Sequence, residues 1–197
     1  DAKAPPPRDA KDPPRAPAAA GFLLSSPVVH DGVLPAKYTC DGESIAPPFA
    51  WHDLPKGTKA LALTIHHVPP DGGEKVYYVV EGIPADATGL AEGTPGVGRL
   101  GRNSLNDRAE YAPPCSKGPG EKRYVATLYA LSEALPSSTE PRSRAELLRA
   151  IGSTTIATAS LELRYTRSGE GKGERAPRES NPPANDRPRD KAPPAND

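Results

Sequence analysis

The sequence predicts a mainly β domain with one late helix, flanked by Pro-rich extended tails. Apolar runs of strand length recur at short intervals through the central part of the chain, whereas helical periodicity is convincing once, at residues 142–151. Six of the 26 prolines lie within residues 1–20 and six more within residues 168–197. Many short strands and one late helix are typical of a mostly β domain.

The domain boundaries follow from composition. Residues 1–20 combine charged residues with proline runs, and residues 168–197 contain PPAND twice. Neither segment has the apolar residues that a core requires, so polyproline II or disorder is expected. We therefore predict one domain, residues 21–167, between two tails. The tails are either flexible spacers or, because Pro-rich segments bind in extended form at low entropic cost, arms that dock on partner proteins.

Two strand candidates surround a Pro/Gly-rich turn in the stretch LALTIHHVPPDGGEKVYYVVEGIP, residues 61–84. Apolar, β-branched and aromatic residues favour strands at 59–67 and 76–82. Other segments have the Pro and Gly content of loops. Further strands are predicted at 22–24, 28–29, 36–40, 123–131 and 154–165, and loops at 40–51, 93–104 and 110–120.

The helix predicted at residues 142–151 carries its own start signal. Ser143 can cap it, and Glu146, three residues later, completes a capping box. Leu147, Leu148 and Ile151 form its apolar face.

Charge and hydropathy argue against nucleic acid binding and against a membrane-spanning segment. Lysine plus arginine and aspartate plus glutamate both number 25, so no basic footprint for nucleic acid is expected. The sequence has no run of about 18 apolar residues, so we expect no transmembrane segment.

The chain begins at Asp1 and contains no methionine, so we expect an exported protein, periplasmic or extracellular, whose signal peptide has been removed. Its two cysteines, Cys40 and Cys115, lie 75 residues apart without metal-site spacing. In an exported protein such a pair most often forms a disulfide. The alternative is two unpaired thiols in a cytosolic protein.

Residues that commonly carry catalysis do not form a pattern here. The sequence lacks G-x-S-x-G and phosphate-cradling motifs, so no enzyme activity and no cofactor is expected. Adjacent His66 and His67 point to opposite faces of a strand, so they cannot easily share a metal. We expect no metal site, with one histidine inside and the other solvated.

Five blocks follow one another through the predicted domain: CDGESIAPPFAW, LPKGTKALALTI, VYYVVEGIP, GRNSLNDRAEYAPPC and KRYVATLYAL. In this order and at these spacings they resemble the phosphatidylethanolamine-binding protein family, and most closely its bacterial Raf-kinase-inhibitor-like branch. The resemblance runs from about Ser26 to Arg167 and implies a β-sandwich with a small anion-binding pocket near one end. Both cysteine positions are familiar in that branch, which adds weight to a disulfide between Cys40 and Cys115.

The pocket motifs depart from the family pattern. The family's D-P-D-x-P motif begins here with His67, Val68 and Pro69. The pocket histidine before tryptophan falls on Tyr77, with Tyr78 at the tryptophan position. In the G-x-H-R-Y motif the histidine is Lys122, whereas the tyrosine is kept as Tyr124.

Two interpretations of the altered pocket stay open. His67, Tyr77, Lys122 and Tyr124, with Tyr111 in the neighbouring loop, present donors and one fixed positive charge, which can hold a small anion. Alternatively the tyrosine rings fill the pocket and Lys122 extends to water.

We therefore predict a non-enzymatic exported protein, an accessory or interaction subunit that docks on partner proteins through its Pro-rich arms. The alternative is a soluble binding protein for a small anion or phosphorylated head group. A protease or kinase inhibitor, a role of some relatives, is a minor alternative.

Overall fold

The computed structural model describes residues 21–67, 69, 72–116, 120–136 and 138–167. The predictions for the two tails, and for Val68, lie outside these residues. Within them, the strands and the α-helix are β1 (Leu23–Ser25), β2 (Phe49–His52), β3 (Ala60–His67), β4 (Lys75–Pro84), β5 (Gly89–Leu90), β6 (Arg99–Leu100), β7 (Glu121–Leu131), α1 (Arg144–Ile151) and β8 (Thr155–Thr166). The eight strands form two antiparallel sheets, with orders β1-β2-β5 and β6-β4-β3-β7-β8. The predicted mainly β fold is confirmed.

Strand β3 is the centre of the larger sheet and is buried along its whole length. Leu61, Leu63 and Ile65 pack in a core between the two sheets. Ala60 and Ala62 face a second core, which the larger sheet shares with the helix. Burial on both faces explains why β3 is a nearly continuous apolar run rather than an alternating one.

The same burial corrects one prediction. We expected one of the adjacent histidines to be solvated, but His66 is 5% and His67 8% exposed. They do point to opposite faces of β3, yet the layer that carries α1 covers the second face, where Arg144 donates from Nε to Thr64 Oγ1 at 3.4 Å. A strand covered on both sides has no solvated face to offer.

Strand β4 contains two irregularities in its pairing with β3. One lies at Gly82, whose φ of 65° is readily adopted by glycine. The other passes from the pair Ile65 and Tyr78 to the pair His66 and Val76, so Tyr77 is left without a partner in register. This bulge turns consecutive Tyr77 and Tyr78 into the same core, where simple alternation places them on opposite faces.

The helix prediction is confirmed with its start two residues later. Ser143 accepts a hydrogen bond from the Glu146 backbone, and the Glu146 side chain accepts from the backbone N–H of Ser143. Leu147, Leu148 and Ile151 are buried in the second core.

Four predictions, two of strands and two of loops, are wrong in whole or in part. Residues 28–29 are not a strand, because Pro27 initiates a turn closed by the Val29 N–H and the Ser26 carbonyl. Residues 36–40 contain the 3₁₀ helix Ala36–Tyr38, closed by bonds from Thr39 to the Ala36 carbonyl. Parts of the predicted loops are strands, namely β2 and β6, which gain pairing partners that a local pattern cannot reveal.

Candidate ligand pocket

Three residues at the predicted pocket positions meet at one end of the larger sheet. His67 ends β3, Tyr77 lies in the bulge of β4, and Tyr124 lies on β7. The Tyr124 ring centroid is 5.2 Å from the His67 ring and 5.2 Å from the Tyr77 ring, which meets it edge to face. We call these three residues the aromatic cluster.

The aromatic cluster is almost excluded from solvent: Tyr124 is 0%, Tyr77 2% and His67 8% exposed. Edge-to-face ring pairs at this separation are favourable beyond the apolar area that they bury. The side chains that a ligand is expected to contact therefore contact one another.

Hydrogen bonds hold the cluster in place. The Tyr124 hydroxyl donates to Ser116 Oγ at 3.2 Å, and the Tyr77 hydroxyl lies 3.4 Å from the same oxygen. His67 Nδ1 lies 2.6 Å from the Arg123 carbonyl oxygen, so this nitrogen carries a proton and donates it. The two phenol hydroxyls and the ring N–H of His67 thus all contact other polar atoms of the protein.

Electrostatics at the cluster favour neutral phenols. Burial raises the pKa of Tyr124 to about 12, although its bond to Ser116 acts in the opposite direction. Burial also raises the pKa of Tyr77. Both hydroxyls are therefore neutral donors at physiological pH and supply no charge for binding an ion.

Ser116 is the member of this site that sequence reasoning did not single out. It follows Cys115, and the predicted disulfide between Cys40 and Cys115 is present with Cα atoms 5.3 Å apart. The backbone N–H of Cys40 also donates a hydrogen bond to the Pro114 carbonyl at 3.2 Å. The disulfide therefore anchors the loop that brings the Ser116 hydroxyl against the two tyrosines; the available signal was the neighbouring cysteine.

Tyr111 and Lys122 are placed differently from the cluster. Tyr111 packs edge to face on Tyr78 at 5.4 Å, and its hydroxyl donates to the Tyr38 carbonyl at 2.6 Å. Lys122 is half-buried on β7, on the same face as Tyr124, and is paired in register with Tyr165. Tyr111 thus packs against the core between the two sheets. Lys122 places a positively charged side chain on the face of β7 that carries Tyr124.

Two other kinds of site are absent from the described part of the chain. Within the described residues, no group of three or more His, Cys, Asp or Glu side chains is arranged to hold a metal ion. No helix in that part of the chain is long and apolar enough to cross a membrane.

Comparison with known proteins gives a consistent family assignment. Residues 24–166 match the family model described as phosphatidylethanolamine-binding protein. A UPF0098 protein of Methanothermobacter thermautotrophicus is 39% identical over 144 residues, which cover 69% of this chain and 92% of that protein. A Mycobacterium tuberculosis protein with a lipoprotein name, LppC, is 35% identical over 122 residues, 61% of this chain and 60% of the relative.

Two solved structures share the fold. The phosphatidylethanolamine-binding protein homologue CT736 of Chlamydia trachomatis superposes with a TM-score of 0.69 at 31% identity, covering 76% of this chain and 99% of the other. Escherichia coli YbcL superposes with a TM-score of 0.67 at 24% identity, covering 74% and 98%.

Proposed function

The chain belongs to the phosphatidylethanolamine-binding protein family, and on that premise we propose that it is a non-enzymatic exported interaction subunit. In this proposal the family core is a rigid platform, and the Pro-rich arms bind partner proteins. The observation that carries the proposal is the aromatic cluster, which occupies the space where the family pattern places ligand-binding groups.

We expect the free energy of binding a phosphorylated head group at the cluster to be unfavourable. The ligand must separate two ring pairs, each favourable by about 0.5–1.5 kcal/mol beyond area burial. It must also desolvate, and the buried groups that it meets are neutral phenols with partners of their own. Lys122 supplies one positive charge on the same strand face. One such charge does not offset the free energy that a phosphate dianion loses when its hydration shell is removed.

Export is supported by two independent observations. The disulfide between Cys40 and Cys115 fits an oxidising compartment, and described cysteines with free thiols are absent. The relative with a lipoprotein name points in the same direction. We propose a periplasmic or extracellular location on these grounds.

Partner binding through the tails can be tested with matched chains. The full chain is compared with variants in which residues 1–20, residues 168–197, or both are replaced by Gly/Ser sequences of equal length. Each is tagged, produced in the native host and purified under mild conditions, and associated proteins are quantified by mass spectrometry.

The proposal predicts that the double replacement loses its specific partners, while the melting temperature of the domain stays unchanged. Unchanged partners in the double replacement contradict docking through the tails. Partners lost together with a lowered melting temperature contradict it as well, since the effect then lies in the domain.

A further inference from the structure

A cavity of about 500 Å³ lies at the opposite end of β3 and β4 from the aromatic cluster. It is bordered by the start of β3, the end of β4, the first residue of β6 and the segment after β7. His67, Tyr77 and Tyr124 are not among the residues that line it. We call this space the arginine cavity.

A buried carboxylate with two guanidinium partners forms one wall. The Glu81 side chain is 3% exposed. Its Oε1 accepts from Arg99 Nε at 3.0 Å, and its Oε2 accepts from Arg142 Nη1 at 2.8 Å. One negative charge is thus shared by two positive charges, which leaves the triad with a net charge of +1.

The two guanidinium groups are held in fixed orientations by main-chain carbonyls. Arg99 Nη1 donates to the Ser138 carbonyl, and Arg142 Nη2 donates to the Pro136 carbonyl at 2.8 Å. A guanidinium carries five N–H groups, so each arginine keeps donors beyond those used in these bonds. The side chains are 40% and 16% exposed, so a ligand in the cavity that they line can reach them.

The surrounding charge is positive. Lys59 is exposed and borders the same cavity, whereas Glu81 is the single acidic residue among the described residues that line it. Three cations against one carboxylate give the lining a net charge of +2. One arginine is enough to balance the negative charge of the buried Glu81. The second arginine and Lys59 therefore leave positive charge for an added anion.

The remaining lining is apolar. Pro84 and Pro136 are exposed, and Leu135 is half-buried. Gly82 leaves open space at the bulge, since nothing lies within 4 Å of the point that a Cβ would occupy there. The cavity therefore offers hydrocarbon contacts beside planar donors.

We propose that the arginine cavity binds a small aliphatic carboxylate, with the carboxylate paired to Arg99 and Arg142 and the hydrocarbon part against Leu135 and Pro136. Planar guanidinium donors match a carboxylate in two-bond geometry. The apolar wall favours an organic carboxylate over a fully hydrated inorganic anion. This inference is independent of the proposed interaction role.

The experiment follows the backbone amide signals of Gly82 and Gly98, which line the cavity, by NMR in the full-length protein. The probe is isovalerate, with isovaleramide as the neutral control of the same shape and inorganic phosphate as the control for anion binding without apolar contact. A seven-atom ligand that gains both contacts is expected to bind with a Kd on the order of 1 mM.

Two variants and a matched control separate the site from general surface charge. Arg99→Gln is expected to weaken isovalerate binding about tenfold through loss of charge-assisted hydrogen bonds. Lys59→Gln, at an exposed position, is expected to weaken it about two- to threefold. Arg149→Gln removes the same charge from an exposed helix position outside the cavity and is expected to leave binding unchanged.

Saturable isovalerate shifts at both glycines, absent with isovaleramide and weaker with phosphate, support the site. No shift with isovalerate overturns it, as do equal shifts with isovaleramide or equal affinity for phosphate. Equal weakening by Arg149→Gln and Lys59→Gln also overturns it. The ligand comparison uses the unaltered protein, so the test stands even if Arg99→Gln does not fold.

Discussion

The aromatic cluster and the arginine cavity lie at opposite ends of the same two strands, β3 and β4, separated by seven residues of β3 or about 24 Å. At the cluster, three rings pack together away from solvent, and the two tyrosine hydroxyls contact the Ser116 hydroxyl. At the cavity, two arginines share one carboxylate and leave positive charge beside open space. The comparison teaches that the two ends of one sheet differ in charge: phenols pack together at the cluster, whereas the described lining of the cavity keeps a net charge of +2.

Removing the disulfide by a Cys40→Ala and Cys115→Ala double substitution is expected to have the largest effect. The chain-entropy model gives a loss of about 4 kcal/mol in the free energy of unfolding for a 75-residue loop. Urea denaturation measures the loss. NMR signals of Tyr77 and Tyr124 should shift because Ser116 is released, whereas those of Gly82 and Gly98 should not; equal shifts at both ends contradict the distinction.

Truncating the centre of the cluster is expected to cost nearly as much. Tyr124→Ala should lower the free energy of unfolding by about 3–4 kcal/mol, because it removes a fully buried ring that two others contact. Tyr124→Phe should cost about 1 kcal/mol, the net worth of its hydrogen bond to Ser116. In an open pocket the ring has little packing to lose, so a cost below 1 kcal/mol for Tyr124→Ala contradicts a filled one.

Glu81→Ala tests the other region. It leaves Arg99 and Arg142 without their shared carboxylate and should lower the free energy of unfolding by about 3 kcal/mol. The matched control is Glu121→Ala, whose ion pairs with Arg123 and Arg164 are exposed and are worth less than about 1 kcal/mol. Similar costs for the two variants mean that the triad is an ordinary surface network.

The smallest expected effect is a pH dependence. Burial raises the folded-state pKa of Tyr124 to about 12, above the unfolded value near 10. The stability that its neutral form contributes is therefore present below pH 10 and is lost as the pH rises through 12, because the unfolded chain releases the proton first. Denaturation between pH 9 and 12 should show a shallower fall for Tyr124→Phe than for the parent; identical slopes contradict a buried phenol.

Much of the fold could be predicted from local pattern. Apolar runs located β3, β4, β7 and β8, and Ser143 with Glu146 located the helix start. The short strands β2 and β6 could not be found in this way, because they depend on partners distant in sequence. The turn at Pro27 was not predicted, because the two valines that follow it have a high strand propensity.

The site was predictable in position and not in arrangement. Family motifs placed His67, Tyr77 and Tyr124 together, but side-chain alternation cannot foresee the bulge that turns Tyr77 and Tyr78 to one side. The role of Ser116 depends on a disulfide-anchored loop. Glu81 was visible as a charge inside an apolar run, yet its partners, Arg99 on an edge strand and Arg142 before the helix, meet only in three dimensions.

The central proposal is that the aromatic cluster does not bind the head group that the family name suggests. The most direct test is calorimetric titration with glycerophosphoethanolamine of the full-length protein and, in parallel, of its Lys122→Ala variant. The predicted result is no saturable heat with either protein. Saturable heat with the parent that disappears in Lys122→Ala, accompanied by shifts of the Tyr77 and Tyr124 ring signals, would contradict a filled pocket.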